Sequence, residues 1–227
     1  MAITKGDIIK LSFTGRLENG AVFDTTDEKV ARDSGIFDEG RTYQPMAVVV
    51  GSNTLVQGLE EDLVGKKKGY RGTVTVPPEK GYGLRSLELI ETVPTKKFDK
   101  KVEPGAWIES GDSIGVVESV SGGRARIDYN EPLAGKTLTF EYKIEDVVEG
   151  KKKKADAVIK GYVGPDTKYT LEDDTVTIEV PKEYYLDKEW LLGKVLIARF
   201  LVSFVGLKKV TYLETLDGAD LKEEAEK

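Results

Sequence analysis

Leu11-Ser12-Phe13-Thr14-Gly15-Arg16-Leu17-Glu18-Asn19-Gly20-Ala21-Val22-Phe23-Asp24 is the stretch that decides the fold. Residues Asp7 to Leu17 alternate, placing Ile9, Leu11 and Phe13 on one face of a predicted strand. Asn19-Gly20 readily takes the positive φ of a tight hairpin. A second strand then runs from Ala21 to Phe23-Asp24.

Beyond this hairpin the chain leaves the sheet through a polar segment, Thr25 to Gln44. A short helix is expected there over Asp27 to Asp33, capped by Thr25 or Thr26. Met46 to Val50 is wholly apolar and reads as a strand. Gly51 to Lys68 reads as turn, helix and turn: Asn53 or Thr54 caps, and Leu55, Val56, Leu59 and Leu63 share one face. Gly65 takes the left-handed closing position. Lys66 to Lys68 read as a solvated turn. Tyr70 to Val76 is a further strand, stopped by Pro77-Pro78.

After Gly83 the texture changes. Leu84 to Lys101 is irregular, with Thr92 to Pro94 extended and a short helix near Lys96 to Phe98. Three strand candidates follow: Trp107 to Glu109, Ile114 to Val120 and Arg124 to Tyr129, the last two joined at Ser121-Gly122-Gly123. Leu138 to Val148 alternates like the opening strand, so the stretch between reads as an insertion into an older sheet. Glu149 to Lys154 reads as a charged linker. Strands over Ala157 to Val163, Thr175 to Val180 and Lys209 to Thr215 are expected after it. They flank a helix over Tyr184 to Val205, broken at Gly193, and the polar tail Asp217 to Lys227 is expected to fray.

Composition narrows the chemistry. Among 227 residues there is no cysteine and no histidine, which excludes thiolate nucleophiles, a Ser-His-Asp triad and histidine or cysteine metal sites. Carboxylates, tyrosines, lysines, backbone groups and shape remain. A formal net charge of −6 argues against nucleic acid as a partner. The longest apolar stretch, Val195 to Val205, is too short to span a bilayer. With no signal-peptide pattern at the N-terminus, a cytoplasmic location without membrane contact is expected.

Read together, four segments resemble the FKBP-type prolyl isomerases. They are Leu11 to Asp24; Gly51 with Leu55-Val56-Gln57-Gly58-Leu59-Glu60, Gly65 and Gly69; Val76-Pro77-Pro78-Glu79 with Gly81-Tyr82-Gly83; and Leu133-Ala134-Gly135-Lys136 with Leu138 and Phe140. Order and gaps match the family. Where short members have only a flap, this chain carries an insert like the SlyD-like branch, and the whole resembles the long archaeal members with an added C-terminal domain.

The resemblance implies an α+β fold: an FKBP-like antiparallel sheet wrapped on a short helix, an inserted mainly-β domain and a C-terminal α+β domain. The expected boundaries are residues 1–84 with 132–149, residues 85–131, and residues 151–227. It implies a pocket of Phe13, Phe23, Met46, Leu55, Val56 and Leu133 over a Leu59 floor, with Asp24, Tyr82 and Phe140 acting on the bound X-Pro bond. The Val56 N–H and the Tyr82 hydroxyl would each hold a substrate carbonyl. Asp24 would act on the carbonyl carbon or organise its neighbours.

No cofactor or metal is implied. Met46 and Leu59 replace aromatic residues common in the family, which implies a wider, softer pocket; with the family's flap also missing, tight macrolide inhibition is not carried over from the resemblance. The implied partners are unfolded or proline-containing polypeptides, and a non-catalytic holdase on the same scaffold is the alternative. Trp107 and Ile114 are expected in the insert's own core. Surplus apolar residues on the last helix lead us to expect a homodimer through the C-terminal domain.

Overall fold

The structure is a computed structural model, and it describes residues 1–98, 100–110 and 113–216. The expected fraying of Asp217 to Lys227 lies outside the described residues. In chain order the elements are β1 (Ile8–Leu17), β2 (Val22–Thr25), α1 (Glu28–Asp33), β3 (Met46–Val49), α2 (Gln57–Leu63) and β4 (Arg71–Val76). Then come β5 (Ile90–Pro94), β6 (Trp107–Ser110), β7 (Ser113–Ser121), β8 (Arg124–Asp128) and β9 (Leu138–Val148). The chain ends with α3 (Lys151–Tyr162), β10 (Tyr169–Glu172), β11 (Thr175–Glu179), α4 (Lys188–Ser203) and β12 (Lys209–Leu213). Mixed helices with antiparallel sheets agree with the expected α+β class.

The contacts divide the chain into two units. One comprises Met1–Gly15, Val22–Val74 and the chain from Phe140; the other comprises Arg16–Ala21 and Thr75–Thr139. In the first, a sheet runs β2-β1-β9-β4, and β3 also pairs β1 antiparallel, with Ile8 opposite Val49 and Leu11 opposite Met46. Alternation along β1 buries Ile9, Leu11 and Phe13 as expected. The helix α2 buries Leu59 and Leu63. Val56 stands at its N-cap and makes no side-chain bond there, so neither Asn53 nor Thr54 is the cap. At α1 the cap is Asp27, whose Oδ1 accepts from Val30 N at 3.0 Å. Thr25 and Thr26 are instead buried and bonded to the backbone of Phe13, which fastens β2 to β1.

The C-terminal stretch departs from the sequence reading. Glu149 to Lys154 is not a linker, nor is Ala157 to Val163 a strand; Lys151 to Tyr162 form α3. Lysine and alanine are good helix formers, and Ala155, Val158, Ile159 and Tyr162 fall at helical spacing on one face. Ala155, Val158 and Ile159 are buried in one core with Ile8, Ala47, Val49 and Val148. A Cβ on Gly161 would lie 2.9 Å from the Ala47 Cβ, so only glycine lets α3 approach β3 this closely. A three-stranded sheet, β10-β11-β12, completes this part, with β11 and β12 parallel across α4. β10 was not anticipated. α4 is unbroken at Gly193 and starts at Lys188, where the Asp187 carboxylate accepts from Glu189 N at 2.8 Å.

In the second unit, β5-β8-β7-β6 form an antiparallel sheet over a small core of Val102, Val117, Ala125 and Ile127. Gly122 and Gly123 both take positive φ, 57° and 72°, in the β7–β8 turn, as a tight hairpin requires. Asn130 pins the two ends of the insert: its Oδ1 accepts from Ser86 N at 2.8 Å and its Nδ2 donates to Ser86 O at 2.9 Å. Trp107 and Ile114 are not in the core. They are 64% and 59% exposed, because a four-residue core is filled by the other face of β7 and β8.

Candidate active site

Alternation brings Phe13 on β1 and Phe140 on β9 to the same face of adjacent strands. Their ring centroids lie 6.0 Å apart at 62°. Phe23, on β2, meets Phe140 at 5.6 Å and 85°. Edge-to-face contacts of this kind favour fixed ring positions. Gly15 makes the cluster possible: a Cβ there would lie 2.6 Å from Phe23 Cζ and 3.1 Å from Phe140 Cε1. Sequence reasoning did not single out Gly15; its period with Phe13 on β1 was the available signal.

Asp24 follows Phe23 directly. Its Oδ1, shielded from solvent, lies 2.7 Å from Arg41 Nη1 as an ion pair lacking hydrogen-bond alignment. Arg41 went unnoticed in the sequence because it sits far along the polar excursion. On α2, Leu59 is fully buried, and the Val56 carbonyl accepts from Leu59 N and Glu60 N at 3.0 and 3.1 Å. The Val56 N–H is one of the donors that a helix start leaves unpaired. Leu55, Val56 and Met46 are half-buried.

A second anchor fixes α2. The Tyr142 hydroxyl donates to Asp62 Oδ2, which joins β9 to the helix. Burial foremost, and then Asp62, push the Tyr142 phenol far above the ordinary tyrosine pKa, so it remains a donor.

Tyr82 and Leu133 belong to the second unit. Tyr82 follows a 3-10 turn at Pro78–Lys80 and lies between Gly81 and Gly83. Gly83 N donates to Pro78 O at 2.8 Å, and Gly135 N donates to Gly83 O at 2.8 Å. The Tyr82 and Leu133 loops are thereby tied to each other. Phe13, Phe23 and Phe140 are likewise in mutual contact in the first unit.

A concavity of about 790 Å³ touches Phe13 and Tyr142 but none of the other pocket residues expected from the sequence. Its walls include Arg71, Glu141, Lys143 and Glu145, a charged lining unsuited to a proline ring. Among the described residues, no group of three metal-ligating side chains is placed to hold a metal, and no helix is long and apolar enough to cross a membrane.

The described geometry is thus a cluster of three phenylalanines with the Asp24 carboxylate next in the chain to one of them. Comparison with known proteins gives the chain a family. The model for FKBP-type peptidyl-prolyl cis-trans isomerases matches residues 1–103, and one described as "FKBP26_C-terminal" matches residues 151–217. A short-type peptidyl-prolyl cis-trans isomerase of Methanocaldococcus jannaschii is 38% identical over 148 residues, covering 64% of this chain and 94% of that protein. A probable FKBP-type 16 kDa isomerase of Pseudomonas fluorescens is 32% identical, covering 61% of this chain and 87% of that protein. SlyD of Aeromonas hydrophila is 32% identical, covering 65% of each. The chain belongs to the FKBP-type peptidyl-prolyl cis-trans isomerases.

Proposed function

We propose that the chain accelerates X-Pro isomerisation in unfolded or partly folded proteins, using a pocket of Phe13, Phe23, Met46, Leu55, Val56, Leu59, Leu133 and Phe140. The observation that carries this reading is the Phe13–Phe140–Phe23 cluster with Asp24 at its rim. Amide resonance sets a rotation barrier of about 18–20 kcal/mol, and no bond need break. The twisted amide has lost charge separation and is favoured in a dry apolar cup over the planar forms. A preference of roughly 5 kcal/mol for the twisted form gives about four powers of ten in rate. In this mechanism Val56 N–H and the Tyr82 hydroxyl hold flanking carbonyls, and Asp24 acts at the pocket edge.

Three regions divide the work: residues 1–84 with 132–149 as isomerase, residues 85–131 as client-binding insert, and residues 151–227 as a C-terminal domain. Exposed Trp107 and Ile114 on β6 and β7 support capture of extended apolar chains by the insert, since a wet indole and isoleucine on one face of the sheet gain by being covered. On α4, Leu191, Leu192 and Val195 are exposed, which supports a homodimer through the C-terminal domain.

A protease-free isomerisation assay on a proline peptide tests the reading, using the full chain, the chain lacking residues 85–131, and Asp24→Ala and Phe140→Ala variants. Loss of rate on unfolded-protein clients, but not on the short peptide, is expected from the deletion. Full rates in both point variants would sink the pocket assignment. Sedimentation at micromolar concentration tests the dimer; a single species of monomer mass counts against it.

A further inference from the structure

The turn that presents Val56 is held by a buried carboxylate. Asn53 N donates to Glu60 Oε2 and Leu55 N donates to Glu60 Oε1, each at 3.4 Å. Glu60 is buried on α2. The turn also holds Asn53 at φ 61°, and Ser52 and Thr54 share a hydroxyl–hydroxyl bond at 3.0 Å. A loop of this kind depends on what stands behind it.

Tyr162 stands there. It is the last residue of α3, in the C-terminal stretch, and its ring meets Phe200 edge-on at 5.3 Å. Its hydroxyl is shut off from solvent and has no aligned hydrogen-bond partner. It faces the Thr54 side chain, the Glu60 carboxylate and the backbone of Val49. Burial pushes the phenol's pKa up, so the group keeps its proton. Gly161 seats α3 against Ala47, and the common core with Val49 holds that contact. An unsatisfied buried hydroxyl is unfavourable, and phenylalanine would fill the same ring position without that cost. For packing alone, the hydroxyl is a liability.

We propose that Tyr162 is a positioning residue for the isomerase site: its hydroxyl, carried by the C-terminal domain, sets Thr54 and Glu60 and through them the Leu55–Val56 turn. A small shift of Thr54 when a substrate carbonyl engages Val56 N–H completes the bond that the free protein leaves open. The C-terminal domain then acts on catalysis directly, apart from any part in dimerisation. The inference rests on the pocket proposed above.

The test uses the full chain with Tyr162→Phe, Thr54→Val and both together. Three readouts are taken: kcat and KM on a proline peptide, the thermal unfolding midpoint, and the Val56 amide resonance. Tyr162→Phe is expected to lower kcat/KM roughly fivefold, leave the midpoint unchanged or raised, and move the Val56 resonance. The double variant is expected to be no worse than either single one, as coupled groups behave. Unchanged kinetics with the Val56 resonance in place would overturn the proposal. So would a lowered midpoint with that resonance in place, which marks a packing role. If the wild-type chain fails to isomerise the peptide, the pocket reading falls, and the Val56 resonance alone still decides the role of Tyr162.

Discussion

Gly15 shows how little room the aromatic cluster leaves. An added Cβ would meet the far edge of the Phe23 ring at 2.6 Å, and Phe23 is only half-buried. The ring therefore yields by swinging outward, while the backbone of β1 stays in place. Gly15→Ala is expected to cost about 1 kcal/mol, the low end for overpacking, yet to lower peptide isomerisation roughly tenfold. Urea unfolding and the peptide assay together check this; a variant with full activity would show that Phe23 does not need its place beside Phe140. Asp24 belongs to the same scale. Its partner Arg41 is half-exposed, so their ion pair contributes little to stability.

At the scale of elements, α3 is the instructive case. Its first turn carries Lys151, Lys152, Lys153 and Lys154 behind a Gly150 N-cap that has no side-chain bond. Four cations there oppose the helix macrodipole. Lys152→Glu is expected to stabilise the chain by about 0.3–1 kcal/mol, read as a raised urea midpoint; a lowered midpoint would mean that Lys152 has an anionic neighbour. Lys151 has one already, since it and Lys208 both pair with Asp174 in the β10–β11 turn. Side-chain hydrogen bonds from Lys151 and then Lys208 lower the Asp174 pKa from 3.8 to about 2. A carboxylate depressed on folding stabilises above its unfolded pKa, and that contribution goes as pH falls through the folded value. Asp174 is therefore expected to add an acid-sensitive step between about pH 4 and 2. Asp174→Asn should remove it from a series of thermal midpoints across that range.

Elements of this protein were legible where period and punctuation agreed. β1, β9, the β7–β8 hairpin and α2 stand close to their expected positions because alternation or helical spacing coincides with Gly, Asn or Pro at the ends. α3 was hidden because a lysine run suggested solvent, and because Ala157-Val158-Ile159 reads locally as strand. Its true pattern, Ala155, Val158, Ile159 and Tyr162, starts directly after the charged run, whose last four residues already form the first turn. The Phe13, Phe23 and Phe140 cluster was legible through family resemblance together with alternation. Arg41, Gly15 and the Tyr142–Asp62 bond were not, since each depends on a contact across the fold that no local spacing encodes. Trp107 misled for a different reason: tryptophan is usually buried on average, and here the core beside it is too small to take it.

For the molecule as a whole, the order of strands in the chain and the order in the sheet disagree. β1 lies beside β9, so the second wall of the aromatic cluster is synthesised only after the insert is complete. The core that holds Ile8 and Val49 also waits for α3 and α4. By contrast β5 to β8 pair over short spans within residues 90–128, and local pairings form sooner than distant ones. During its own synthesis the chain would thus finish the sheet of β5 to β8 before the one that carries Phe13 and Phe140. Pulse-labelled hydrogen exchange on refolding should protect β7 and β8 amides ahead of those in β1, and simultaneous protection would contradict this. A member of a family of isomerases thus completes its own aromatic cluster only after the sheet inserted between the cluster's two walls.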